Sequence, residues 1–239
     1  MIDPEWRRVG RASAWAYGGL AILGGVLVTI VSIGIPPTEP DLAKHYSYIR
    51  EIWPGLYISF LLFLAAFLSL VPLGLALREF FGRSARSELL YASFLAAAIL
   101  GVIWMLVQAG SAQTVARDSA GLSTQDLNVL GASSSIWSGV INWLQRGFLL
   151  FAGLGTYWTG RIALRQRSMP RGLSWVSLVM AVVFALGLAS LVPRDLGVPL
   201  PDSVGSLVIA LGGLLALVWA AWLGWELGRL RAQPRASSA

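Results

Sequence analysis

Arg146 stands inside an apolar run, SIWSGVINWLQRGFLLFAGLGTYWTGR (135–161), with Ser138, Asn142 and Gln145 in the two turns before it. Asn142 and Arg146 are four residues apart, so on a helix they share one face. A guanidinium is planar and can bind two oxygens at once, which suits a carboxylate or a phosphate. At the centre of a membrane helix it costs about 2.5–3.5 kcal/mol on insertion scales, so it requires partners or water. Two readings follow. In one, Arg146 extends its stem outward to lipid phosphate or to a loop carboxylate such as Asp118 or Asp126. In the other it lines a polar pocket with Asn142 and Gln145, and with Gln108 and Trp104 from the preceding apolar stretch. These five residues are the candidate ligand-binding set, and an anionic or amphiphilic molecule is the ligand they would suit.

Other chemistry is poorly served. The chain has no Cys, which removes disulfides, thiol catalysis, thiolate zinc sites and Fe–S clusters. It has one His, His45, so neither a His cluster for a metal nor a pair of axial His ligands can be built from one chain. There is no G-x-S-x-G, no H-E-x-x-H and no P-loop. Paired carboxylates inside the apolar runs are missing too. The expectation is a protein that is not an enzyme, with no catalytic residue, no metal and no cofactor.

The elements that carry Arg146 follow from composition. Hydrophobic residues make up 56% of 239 and charged residues 13%, against about 25% charged in a soluble domain. Six apolar runs are long enough to cross a bilayer, near 14–34, 55–77, 89–110, 136–160, 172–192 and 203–225. Five contain no charge, and the fourth contains only Arg146. The expected fold class is all-α: an integral membrane six-helix bundle over 14–230, after a cytoplasmic segment 1–13 and before a disordered tail 231–239.

Orientation rests on Lys and Arg. The N-terminus, the 78–88 and 161–171 loops and the C-terminal tail hold 13 Arg, whereas the other side holds Lys44, Arg50, Arg117 and Arg194. The positive-inside rule then puts both termini in the cytoplasm. The net charge of +6 sits in these short clusters, with no basic patch on a soluble unit, so nucleic acid is not an expected partner.

Two outer loops read as short amphipathic helices. In IPPTEPDLAKHYSYIREIWP (35–54), Thr38 can cap, Leu42, Tyr46, Ile49 and Trp53 form an apolar face, and Pro54 with Gly55 ends the helix. His45 lies off that face as a solvated residue. In GLSTQDLNVLG (121–131), Ser123 and Asp126 form a capping box and Gly131 is the stop. Such helices could lid an outward cavity or plug the bundle. Within the spans, Pro72 should kink the second run near its cytoplasmic end. Trp219, Trp222 and Trp225 suit the aromatic belt, and Glu226 can pair with Arg229. Ala97 and Gly101, like Ala21 and Gly25, have the spacing of close helix crossings. RSARSELLYAS (83–93) and RSMPRGLSWVS (167–177) align without gaps, as a duplicated hairpin would.

Three segments, GRASAWAYGGLAILGG, LSTQDLNVL and MPRGLSWV, give the chain a family likeness. Over roughly residues 10–228 it resembles an uncharacterised bacterial family of six-span membrane proteins, known as a domain of unknown function. The resemblance implies six spans in a bacterial inner (plasma) membrane and brings no site residues. The expected function is binding of a small amphiphile, lipid or anionic ligand from the outer side, as carrier or sensor. The alternative is an accessory subunit of a larger membrane complex. Membrane lipids are expected partners in either case, with partner subunits or further copies of the chain in the second.

Overall fold

The computed structural model describes residues 3–33, 35, 41–195 and 202–229. Their regular structure is entirely helical: α1 (Pro4–Val31), α2 (Leu42–Leu68), α3 (Leu70–Phe81), α4 (Ala85–Asp118), α5 (Thr124–Gln166), α6 (Arg171–Asp195) and α7 (Asp202–Arg229). Thr38, Pro40 and residues 196–201 lie outside the described residues, as do residues 230–239, where the disordered segment is expected. Five helical stretches are long and apolar enough to cross a membrane: Pro4–Val31, Leu42–Phe81, Ala85–Asp118, Arg171–Leu191 and Leu211–Arg229. The expected fourth run, 136–160, lies in α5, which is outside that set.

Local chemistry sets most helix ends. Asp3 caps α1, its carboxylate accepting from the Glu5 amide at 2.8 Å, with Pro4 in the first turn. Asp41 caps α2 through the amides of Ala43 and Lys44. Ser84 and Ser87 form a reciprocal capping box on α4, and Ser87 also donates to the Gly82 carbonyl at 2.6 Å. Gly82 takes φ +77° there, a left-handed turn that glycine adopts without a Cβ clash. Ser123 caps α5, accepting from the Asp126 amide and donating to its carboxylate.

Two expected helix stops are overturned. Pro54 does not end the first amphipathic segment, because α2 runs through it to Leu68. Gly55 lies against Val31 of α1, where a Cβ would collide with a Val31 methyl. Packing outweighs the single backbone bond that Pro54 removes. Gly131 does not end the second segment, because α5 runs 43 residues without a break. Gly131 faces Tyr46 and Leu42 of α2, so it serves helix approach. The two outer helices are therefore the N-terminal parts of α2 and α5. Pro72 does interrupt the second rod: α2 stops at Leu68, the residue whose carbonyl the proline ring opposes, and α3 resumes after Ser69.

Neighbours in sequence are neighbours in space. α1 packs on α2, α3 and α7; α2 and α3 pack on α4; α4 packs on α5, α5 on α6 and α6 on α7. The result is a ring in chain order, closed by α7 against α1. Its centre is filled: Phe94 of α4 meets Trp219 of α7 across the ring, centroids 6.1 Å apart. The buried Trp219 indole N–H donates to Ser177 Oγ at 2.8 Å, and Ser177 donates to the Leu173 carbonyl. Ser93, the counterpart of Ser177 in the aligned segments, makes the same bond to Leu89. Gly101 and Gly155 let Phe67 and Phe94 approach, since a Cβ would lie 2.7 and 2.8 Å from those rings.

The two ends of the ring differ. At the arginine-rich end, Arg78 bonds Glu79 at 2.9 Å and Glu88 at 3.5 Å, and Arg83 bonds Glu79 at 3.2 Å. Gln166 donates to the Phe81 carbonyl, tying α5 to α3. The expected Glu226–Arg229 pair is absent among the described residues, and the Arg229 guanidinium lies over the Trp225 ring instead. At the opposite end, acidic through Asp41, Glu51, Asp118 and Asp126, Tyr46 of α2, Val115 of α4 and Leu127 of α5 form a second small core with Leu42, Ile49 and Leu130.

Candidate functional site

α5 positions Arg146, and its contacts with α6 fix the direction. A Cβ on Gly153 would meet Phe184 at 3.2 Å, and one on Gly160 would meet the Ser174 carbonyl at 2.7 Å. Arg146, Gly153 and Gly160 recur every seven residues, which keeps them on one edge of the helix. Arg146 therefore lies on the α6 edge. Seven residues beyond Phe184, it comes level with Ser190 and Leu191. Arg146 is half-buried, and its guanidinium lies 4.7 Å from the centroid of Trp143, a ring 3 residues away that is 70% exposed. Such a contact over an indole face is a cation–π interaction. Asn142, also half-buried, is one turn further out on the Arg146 side.

Trp104 stands elsewhere. It is stacked on Phe67 at 6.0 Å and tilted against Phe148 at 6.0 Å, inside the ring. Its indole N–H is buried with no hydrogen-bond partner among the described residues. Phe148 is two residues from Arg146, about 200° round the helix, so the body of α5 separates Arg146 from Trp104. Gln145 precedes Phe148 by three residues and shares its face, and Gln108 follows Trp104 by four on α4. Trp104, inside the ring, thus stands apart from Arg146 and Asn142 on the α6 edge.

A half-open cavity of about 400 Å³ lies between the acidic ends of α4 and α5. None of the five candidate residues lines it. Leu106 and Trp137 flank it, and four hydroxyls enter it: Ser111 and Thr114 from α4, Ser133 and Ser134 from α5. Thr114 donates to the Gly110 carbonyl and Ser134 to the Leu130 carbonyl, so their oxygens remain as acceptors. No charged residue lines the cavity. Its size is in the range of small-molecule sites, and its walls are apolar with a few polar groups, as such sites are. Sequence reasoning passed over these hydroxyls because single Ser and Thr residues inside a helix commonly bond the preceding turn. The available signal was the pair Ser111 and Thr114 one turn apart, opposite the run Ser133–Ser134.

No group of three or more His, Asp or Glu residues is placed to hold a metal ion among the described residues. No family model, no curated protein and no solved structure matches the chain.

Proposed function

We propose that this chain is a six-span protein of a bacterial inner membrane, with both termini cytoplasmic, that takes up a small amphiphile or lipid from the outer leaflet as a carrier or sensor. The observation that carries the reading is the α4–α5 cavity, about 400 Å³ of apolar wall with four hydroxyls at the acidic end. The outside of the ring supports the membrane part. Leu23, Ile30, Ile99, Leu106, Leu150, Val182, Leu186 and Leu214 are all exposed, an apolar belt far larger than monomeric soluble proteins leave in water. In this reading α5 supplies the sixth span: counted outward from Arg161, residues 141–160 are 20 residues, about 30 Å, with Trp143 near one interface and Trp158 near the other. Arg146 then sits below the outer interface beside Trp143, where it can meet the phosphate of an outer-leaflet lipid. Arg146 holds an anionic headgroup at the α6 edge of α5, apart from the cavity, which takes an apolar chain.

Native mass spectrometry from nanodiscs tests the reading. Filling the cavity with Ser134→Phe should remove co-purified amphiphile, and Arg146→Met should weaken retention of anionic species. Retention of the same ligands by both variants would sink it. A second reading, an accessory subunit of a larger complex, draws on Gly19, Gly25 and Gly213, where an added Cβ would meet nothing within 4 Å. These are the bare small-residue faces on which a second helix could pack. Mild-detergent purification yielding only monomer would exclude it.

A further inference from the structure

The arginines of the arginine-rich end differ in their surroundings. Arg78 and Arg83 are engaged by Glu79 and Glu88. Arg86, Arg161 and Arg165 are exposed and make no ion pair among the described residues. Between Asp126 and Asp195 the chain contains no acid at all, so no carboxylate of the α5–α6 turn, or of α5 beyond its first turn, can neutralise them.

Helix register brings these three together. Leu100 of α4 lies against Gly147 of α5, and Phe94 against Gly155. Arg86 precedes Leu100 by fourteen residues and Arg161 follows Gly147 by fourteen, so each keeps the edge that its helix turns to the other. Counting eight residues on from the Phe94–Gly155 contact in the antiparallel sense, Arg86 comes level with residue 163, between Arg161 and Arg165. Arg161 and Arg165 are themselves one turn apart.

Below the guanidiniums the same side of α5 becomes aromatic and then aliphatic. Tyr157, Leu154 and Leu150 follow at helical spacing and are 37%, 38% and 45% exposed, and Leu89, three residues after Arg86, is 49% exposed. Cationic groups, one phenol and then an apolar track mirror a phosphate, a glycerol ester and an acyl chain. We propose that Arg86, Arg161 and Arg165 form a site on the α4–α5 seam for the phosphate headgroup of an anionic phospholipid of the inner leaflet. Arginine suits this because its fork binds two phosphate oxygens where an ammonium offers only a point charge. A soluble anion would have no use for the apolar track. The inference rests on the reading that this end of the bundle lies at a membrane surface, and it concerns a site distinct from the α4–α5 cavity at the other end.

The test uses the full chain in phosphatidylcholine nanodiscs doped with phosphatidylglycerol, with native mass spectrometry of the lipid that stays bound on release. The wild-type chain should retain phosphatidylglycerol selectively. The triple variant R86Q/R161Q/R165Q should lose that retention by about a hundredfold, the equivalent of about 1 kcal/mol for each of three arginines near an anionic surface. R8Q/R167Q/R229Q removes the same charge from the same end and should keep it. Replacing the three site residues by Lys preserves charge and fold and should give an intermediate loss. Equal loss in both Gln triples would overturn the proposal in favour of diffuse attraction. Displacement of the lipid by inorganic phosphate would overturn it in favour of a soluble anion. A wild-type chain that stays monomeric without detergent would defeat the membrane reading itself. A chain that inserts yet shows no preference for phosphatidylglycerol would defeat only this site.

Discussion

Gly160 shows how much of the packing depends on one missing carbon. An added Cβ would lie 2.7 Å from the Ser174 carbonyl oxygen and 2.8 Å from Leu178 Cγ. The first of these is backbone, so α5 and α6 would have to move apart. Gly160→Ala should cost about 1–3 kcal/mol, read as a lower unfolding temperature in detergent, whereas Gly213→Ala, which faces open space, should leave it unchanged. Glu79 provides a pH dependence. The hydrogen bond from Arg78 holds its carboxyl below the ordinary carboxylate range, with Arg83 adding to the effect. A carboxyl depressed in the folded state stabilises it above the unfolded value, and that contribution disappears as pH falls through the folded value. Thermal stability should therefore fall below about pH 4, and Glu79→Gln should flatten that part of the curve. At this scale the sequence was partly readable. Arg146 stood out because a guanidinium among apolar residues is costly, but the α6 edge it occupies follows only from the contacts of Gly153 and Gly160.

At the scale of elements, α2 and α5 are the informative pair. Each was readable as a capped amphipathic segment followed by an apolar run; Ser123 caps α5 as expected, whereas α2 is capped by Asp41 rather than by Thr38. The joins were not readable. Pro54 and Gly131 are ordinary helix breakers in isolation, and each sits where another helix comes close, as Val31 shows for Gly55 and Tyr46 for Gly131. Tertiary packing overrides local propensity at both. Gly131→Leu should therefore push the α5 extension off Tyr46 and raise hydrogen exchange across residues 124–131, while the rest of α5 stays protected. Asp41→Ala removes the α2 cap and should cost about 1 kcal/mol, seen as fraying of the first turn in the same experiment.

For the whole molecule, an apolar all-helical chain could be read directly from composition, and the order of helices round the ring could not. Runs such as 172–192 and 203–225 are apolar on every side, so periodicity gives no inward face, and the partners of α6 and α7 emerge only from contacts such as Trp219 on Ser177. Sidedness is open to a direct test because the chain has no native Cys. On intact cells an impermeant maleimide should label Ser123→Cys and should spare Arg167→Cys until the membrane is opened. The reverse pattern would invert the proposed orientation and move the amphiphile cavity to the cytoplasmic leaflet.

The closure of α7 against α1 brings Leu227 within reach of Gly10, and Gly228 alongside Arg11. A short flexible linker could therefore splice Arg229 to Asp3 without crossing the molecule, leaving a loop of helices with no natural beginning. New termini could then be cut at the 167–170 turn, and the reordered chain should still assemble the same bundle, with every helix meeting the neighbours it has now. Failure of that permutant to assemble would mean that the order in which the helices are synthesised matters as well as their final contacts.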